Sequence, residues 1–335
     1  MECGPTLAHY HAVHGGEEPP LYRRCRAVAV DFDPADTEAR LRISHAAAVR
    51  DVHDARGPPV SPNLLDLKAE LARRLLTPCR LCERRCKVDR AAGQVGFCRV
   101  RESRVATQFV HLGEERELVP SYTVFLSGCT FSCVFCQNWD ISQSPETGRT
   151  IPPRLLARRL EAMANTAVRN VNWVGGEPTP NLPYILDVLR ECDAALPQVW
   201  NSNMYLTAEA LALLDGVVDL YLADFKYGPG RCSGLLSRVP RYWEVVSRCH
   251  REANRQTEIL LRHLVMPGHV ECCTRPVLEW VAVNLDASRL KVNVMDQYRP
   301  EYLAHRYPAI DRRPRVREIL DALGLAEEFG LPLTT

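Results

Sequence analysis

The sequence predicts an α/β fold: an open, partial (β/α)6 parallel barrel, with an N-terminal cysteine-rich metal-binding element and a helical N-terminal extension before it. Three observations predict it. From about residue 120, short strand-like runs alternate with helix-like runs, at Tyr122–Ser127, Asn170–Val174, Gln198–Ser202, Val217–Asp224, Glu258–Val265 and Leu290–Met295. The helices between carry start signals: Pro152 and Pro153, a capping Thr207, then Pro240 and Thr274. Alternating strand and helix implies a parallel sheet with right-handed crossovers, and the number of units is too small for a full eight-stranded barrel.

The N-terminal part breaks this rhythm. Residues 1–75 form an extension, with loop signals at Gly15-Gly16-Glu17-Glu18-Pro19-Pro20 and Gly57-Pro58-Pro59. Helix-compatible stretches run from Thr37 to Val49 and from Pro62 to Leu76, the second with Leu64, Leu67, Leu71 and Leu75 along one face. No chemistry is visible there, so its expected role is packing against the main domain or a partner. Residues 76–115 make the cysteine-rich element, 116–300 the barrel, and 301–335 a tail with a helix at Val316–Leu323.

Bulk properties exclude several function classes. With 46% hydrophobic and 25% charged residues the composition is that of a soluble globular chain. A net charge of +1 gives no electrostatic reason to expect a nucleic-acid partner. No apolar run approaches the roughly 20 residues of a membrane helix. Met1–Gly16 lacks the basic and apolar regions of a secretory signal. The expected location is the cytoplasm, where thiols stay reduced, so 14 cysteines point to metal or catalysis before disulfides. Lysine is scarce, at positions 68, 87, 226 and 291, which makes Lys226 at a strand end more informative.

The first cysteine constellation is Cys129-Thr-Phe-Ser-Cys133-Val-Phe-Cys136. Three close thiolates can each take one iron of a four-iron cluster, leaving the fourth iron open for catalysis. The bland alternative is a structural zinc knuckle. Gly128 lets the loop turn sharply after its strand.

This Cys-x3-Cys-x2-Cys spacing, with Phe135 before the last cysteine, resembles the radical S-adenosylmethionine signature. The resemblance covers about 120–300. It implies a [4Fe-4S] cluster on Cys129, Cys133 and Cys136, with Phe135 packing near the adenine. Gly175-Gly176-Glu177, directly after the second strand, is similar to the family's Gly-Gly-Glu motif, which holds the methionyl amino group. Further strand ends carry polar groups: Asn201 and Asn203, Asp224 and Lys226, and Gln297. In parallel βα folds ligands sit at the carboxyl ends of strands. Asp224 and Lys226 resemble the Asp-x-Lys of glycyl-radical activating enzymes, near the methionyl carboxylate and ribose. Asn201 stands where those activators tend to carry an acidic residue. Arg262 begins a stretch like their Arg-x-x-Val-x-Pro-Gly, and is expected to pair with the cofactor's carboxylate or with a neighbouring acid. His263 and His269 are candidate proton carriers, although lone histidines are more often structural.

The second constellation is Cys79, Cys82, Cys86 and, after Gly96 and Phe97, Cys98. Four cysteines with a turn-rich spacer fit a closed site, for which zinc and an auxiliary iron–sulfur cluster are both suitable. The pattern resembles an N-terminal element of the uncharacterised branch of pyruvate formate-lyase activating-enzyme homologues. Cys3, Cys25, Cys192, Cys232, Cys249, Cys272 and Cys273 show no ligand spacing and read mostly as small apolar residues. The adjacent Cys272-Cys273 pair is a weak redox candidate.

The resemblance implies an enzyme that reductively cleaves S-adenosylmethionine to methionine and a 5′-deoxyadenosyl radical, which abstracts hydrogen from a substrate. It also implies an electron donor of the flavodoxin or ferredoxin type. The substrate expected first is a glycine of a glycyl radical enzyme. The alternatives are a small metabolite or a peptide, and a non-enzymatic zinc-binding scaffold.

Overall fold

Strands β1 (Val105–His111), β2 (Ser121–Leu126), β3 (Asn170–Gly175), β4 (Gln198–Ser202), β5 (Leu220–Asp224), β6 (Glu258–Leu264) and β7 (Leu290–Met295) lie side by side in chain order. The computed structural model describes residues 6–334. Strands β2 to β7 are parallel, whereas β1 pairs antiparallel with β2. The six parallel strands match the alternation read from the sequence. The additional β1 is an edge strand whose outer residues, such as Phe109 and Val110, remain exposed, so it lacks the continuous apolar run that marks a buried parallel strand.

Twelve α-helices stand among the described residues: α1 (Ala8–His14), α2 (Leu21–Ala27), α3 (Glu38–Ala48), α4 (Leu64–Arg74), α5 (Trp139–Ser142), α6 (Pro153–Met163), α7 (Leu182–Arg190), α8 (Ala208–Leu214), α9 (Cys232–Ser237), α10 (Tyr242–Gln256), α11 (Arg275–Asn284) and α12 (Val316–Glu328). Their starts follow local chemistry. Thr37 caps α3, Thr207 caps α8, and Asn63 with Asp66 forms a capping box on α4. Leu64, Leu67, Leu71 and Leu75 of the α4 stripe are all at most 1% exposed and pack toward α7. Burying each such leucine contributes roughly 1.5–3 kcal/mol.

The sheet curls around its own polar filling. The β1–β2 connection carries Glu114 and Glu115, which reach Asn172 on β3, Arg262 on β6 and Asn293 on β7. One short loop touches strands at both ends of the sheet, which requires the sheet to wrap into an open barrel. Below this layer, Val199, Leu220, Leu222 and Leu260 form an apolar floor with Leu7 and Tyr10. The N-terminal extension therefore caps the amino end of the barrel. Glu258 accepts the backbone N–H groups of His9 and Tyr10 at 2.9 and 3.0 Å, and Asp219 accepts Leu21 N–H at 3.0 Å. No helix among the described residues is long and apolar enough to cross a membrane.

Candidate active site

The Cys129–Cys136 loop leaves the carboxyl end of β2 through Gly128, at φ +85°. Its geometry depends on close backbone approach. A Cβ on Gly176 would lie 2.2 Å from the Gly128 carbonyl oxygen, and one on Gly175 would lie 2.0 Å from that of Leu126. The Gly-Gly at the end of β3 is thus what allows the β3 end and the cysteine loop to touch.

Each thiol of the triad meets a hydrogen-bond donor. Phe131 N–H points at Cys129 Sγ at 3.3 Å, Ser237 Oγ at Cys133 Sγ at 3.0 Å, and Ser142 Oγ lies 3.2 Å from Cys136 Sγ. Asn203 Nδ2 adds a long contact to Cys129 Sγ at 3.8 Å. Burial pushes all three thiols up, Cys133 to about 12, and the neighbouring thiols raise Cys129 and Cys133 further. Thiolates here therefore need a positive partner, and a cationic metal centre supplies one.

Glu177 is 2% exposed. Its Oε1 accepts from Thr179 N–H, Thr179 Oγ1 and Ser202 Oγ, and its Oε2 from Asn203 N–H at 2.9 Å. The carboxylate ties the β3 and β4 ends together beside the cysteine loop. Burial raises its pKa despite these donors. Asp224 and Lys226 pair with each other at the β5 end, and Lys226 adds positive potential at Cys133 and Cys136. Phe135 is buried with its ring 5.6 Å from that of Tyr298. Asn201 lies at the β4 end, 8% exposed.

Two predicted residues stand differently from the cofactor role given to them. Arg262 is occupied by Glu114 and Glu115, with its Nε 2.7 Å from Glu115 Oε1. This is the neighbouring-acid alternative, and sequence reasoning missed the two acids because they lie almost 150 residues away, in a loop. Gln297 is exposed, and its amide points at Met295 Sδ at 3.5 Å. His263 is buried between Phe225 O and Thr274 Oγ1, and burial pushes it down to about 4, so it stays neutral and structural.

The four upstream cysteines gather beside the triad. Burial raises Cys82, and Cys98, Cys79 and Cys86 each add to that rise. Phe97 N–H donates to Cys86 Sγ at 3.3 Å, and a Cβ on Gly96 would lie 2.7 Å from the same sulfur. The carbonyl oxygen of Cys98 lies 3.1 Å from the position of a Cβ on Gly128. Arg84 covers the Phe97 ring at 3.6 Å and donates to Thr130 O at 2.9 Å. The two constellations are in contact through these residues. Cys3 lies outside the described residues; Cys25, Cys192 and Cys249 are buried, as small apolar residues should be.

An open parallel barrel with a three-thiol loop at its first parallel strand end accords with the class of enzyme that the cysteine spacing resembles. Comparison with known proteins agrees. Residues 123–281 match the family model described as the Radical SAM superfamily. The uncharacterized protein MJ0674 of Methanocaldococcus jannaschii is 50% identical over 280 residues, which cover 82% of this chain and 81% of that protein. The uncharacterized protein MJ0808 of the same organism is 28% identical over 172 residues, 44% of this chain and 49% of that one. Among solved structures, methylornithine synthase (PylB) gives a TM-score of 0.45 at 11% identity, over 97% of this chain and 78% of that one. Streptococcus suis SuiB bound to the precursor peptide SuiA gives 0.44 at 14% identity, over 62% of this chain and 45% of that one. The chain belongs to the radical SAM superfamily. Membership implies an enzyme that uses a [4Fe-4S] cluster and S-adenosylmethionine.

Proposed function

We propose that Cys129, Cys133 and Cys136 hold the [4Fe-4S] cluster, and that the enzyme abstracts a hydrogen atom from a polypeptide substrate, in the manner of a glycyl-radical activating enzyme. The observation that carries this reading is the convergence of three donor-supported thiols, that of Cys129 buried and those of Cys133 and Cys136 half-buried, with the Gly175-Gly176 backbone at adjacent strand ends. When bound, the cluster supplies the electron that cleaves S-adenosylmethionine into methionine and a 5′-deoxyadenosyl radical.

The chain's own groups do the rest. Gly175 and Gly176, lacking side chains, let the β3 end pack against the cysteine loop, which sets their backbone beside the methionyl end of the cofactor. Glu177 fixes that backbone by holding Thr179, Ser202 and Asn203. Lys226, kept charged by Asp224, offers a cation to the methionyl carboxylate, and Asn201 and Asn203 offer amides to the ribose side. Phe135 gives the adenine an apolar surface. Arg262, engaged by two acids, stiffens the polar filling of the barrel beneath the site rather than touching the cofactor.

A polypeptide substrate is favoured by the rim. Trp139, 44% exposed and three residues beyond Cys136, stacks on Tyr302 with centroids 5.4 Å apart. An exposed tryptophan backed by a half-buried tyrosine beside a reactive centre suits docking of a protein segment. The upstream cysteines are assigned a second metal centre. Four thiol donors suit either one zinc ion or an auxiliary iron–sulfur cluster there. The electron donor is a flavodoxin- or ferredoxin-type protein, and the expected setting is the cytoplasm.

The test uses the reduced, cluster-loaded enzyme with S-adenosylmethionine and a candidate glycyl radical enzyme. Electron paramagnetic resonance should show a protein-based doublet that collapses when the partner carries α-deuterated glycine. Formation of 5′-deoxyadenosine with no such signal from any polypeptide, and its stimulation by a small metabolite instead, would reject the substrate class.

A further inference from the structure

We propose that Cys232, His269 and Cys272 form a zinc site at the mouth of the barrel, distinct from both cysteine constellations read from the sequence. Cys232 begins α9, in the connection that follows β5, and His269 and Cys272 lie in the connection that follows β6. The two connections emerge from adjacent strand ends. Among the described residues, this is the group of three metal-ligating side chains whose donor atoms all lie within 4.8 Å of one another.

The distances match one tetrahedral ion. Cys232 Sγ and Cys272 Sγ are 3.8 Å apart. Two thiolates on one zinc, each with a bond of about 2.3 Å, are separated by about 3.8 Å at the tetrahedral angle. His269 is oriented for the same purpose. Its Nδ1 lies 2.8 Å from Pro267 O, and a carbonyl only accepts, so Nδ1 carries the proton. The lone pair then resides on Nε2, and a backbone carbonyl behind the imidazole is the usual support of a metal-bound histidine.

The backbone holds the donors together. Val270–Thr274 is a π-helical turn leading into α11, and both Cys273 N–H and Thr274 N–H bond to His269 O, at 2.9 and 3.2 Å. Such turns are uncommon and concentrate at functional sites. Gly228 presses against this turn, where a Cβ would lie 2.2 Å from Cys272 O. The sequence hides the site because Cys232 and Cys272 are 40 residues apart.

Two thiolates and a neutral imidazole balance the charge of one divalent ion. Binding releases two thiol protons to solvent and involves no electron transfer. Soft sulfur with one imidazole suits zinc, and the exposure of Cys272 leaves the fourth position to water or a substrate donor. The site also bears on the cluster loop: at the far end of the short α9, Ser237 donates to Cys133 Sγ. A metal at Cys232 pins the helix that carries this donor.

The test is metal analysis of the full-length protein, purified without oxygen and equilibrated with Zn2+ alone before desalting. Cys232→Ser, His269→Ala and Cys272→Ser should each lose one equivalent of zinc per chain relative to wild type, with iron content unchanged. The unchanged iron separates loss of this site from misfolding and from the cluster assignment. Equal zinc in wild type and all three variants overturns the proposal. So does a Cys232–Cys272 disulfide found by peptide mass in the anaerobically isolated protein, which would make the pair a redox element instead.

Discussion

Replacing Arg262 by methionine separates two roles for that side chain. Its guanidinium stands between Glu114 and Glu115, and the three side chains are 13%, 7% and 4% exposed. Methionine fills similar volume but leaves the two carboxylates with Asn172, Asn293 and, beside Glu114, the His111 ring as side-chain partners. Removing one member of a buried ion network costs about 3–5 kcal/mol. For a chain of this length that corresponds to a melting temperature lower by about 4–7 °C. The effect depends on pH in a defined direction. Burial alone would raise the Glu115 carboxyl, but the Arg262 hydrogen bonds and charge, aided by Asn293, hold it below the usual carboxylate range. A carboxyl depressed in the folded state contributes stability above its unfolded pKa and loses it as pH falls through the folded value. The gap between wild type and Arg262→Met should therefore be full at pH 7 and narrow below the ordinary carboxylate pKa. Anaerobic thermal unfolding across pH 3–8, paired with S-adenosylmethionine binding at 20 °C, reads both roles. Binding should change by less than about threefold while stability falls. A variant as stable as wild type that loses cofactor affinity at least tenfold would refute the assignment and return Arg262 to the cofactor.

Gly176→Ala should weaken S-adenosylmethionine binding at least tenfold, because the new Cβ would lie 2.2 Å from Gly128 O and 2.8 Å from Ser142 Cα; titration of the reconstituted protein reads it. Cys98→Ser should remove the metal of the upstream centre, about half of the total iron if both centres are four-iron clusters, while 5′-deoxyadenosine formation falls without vanishing. Docking of α1 should weaken with rising pH. Burial lowers the His9 pKa, but the hydrogen bond and charge of Asp219, 3.0 Å away, raise it above its ordinary value overall. That stabilisation is full below about pH 6.5 and is lost as pH rises through the folded value, so hydrogen exchange of residues 8–14 should quicken across that interval. His9→Gln should abolish the pH dependence.

The parallel strands and most helix starts were legible because their signals are local. Short apolar runs mark buried strands, and Thr37, Asn63 and Thr207 cap the helices that follow them. The cysteine triad stands out in the sequence for the same reason: its thiols sit within eight residues of one another. What escaped was long-range. The edge strand β1 alternates weakly, since one face looks to solvent. The plugging of the barrel by Leu7 and Tyr10 depends on contacts across more than 200 residues, such as that of Tyr10 N–H with Glu258. Arg262 was readable as a charged strand residue, but its partners come from a loop with no pattern of its own. Cys232, His269 and Cys272 looked like unrelated residues until two connections at adjacent strand ends brought them together.

The central claim is that the Cys129, Cys133 and Cys136 thiols hold the centre at which S-adenosylmethionine is cleaved. The direct measurement is 5′-deoxyadenosine formed per chain by anaerobically reconstituted, dithionite-reduced protein given S-adenosylmethionine. Wild type should produce it in step with methionine, and Cys133→Ala should produce none while still holding the metal of the upstream centre. Equal product from the two proteins would contradict the account.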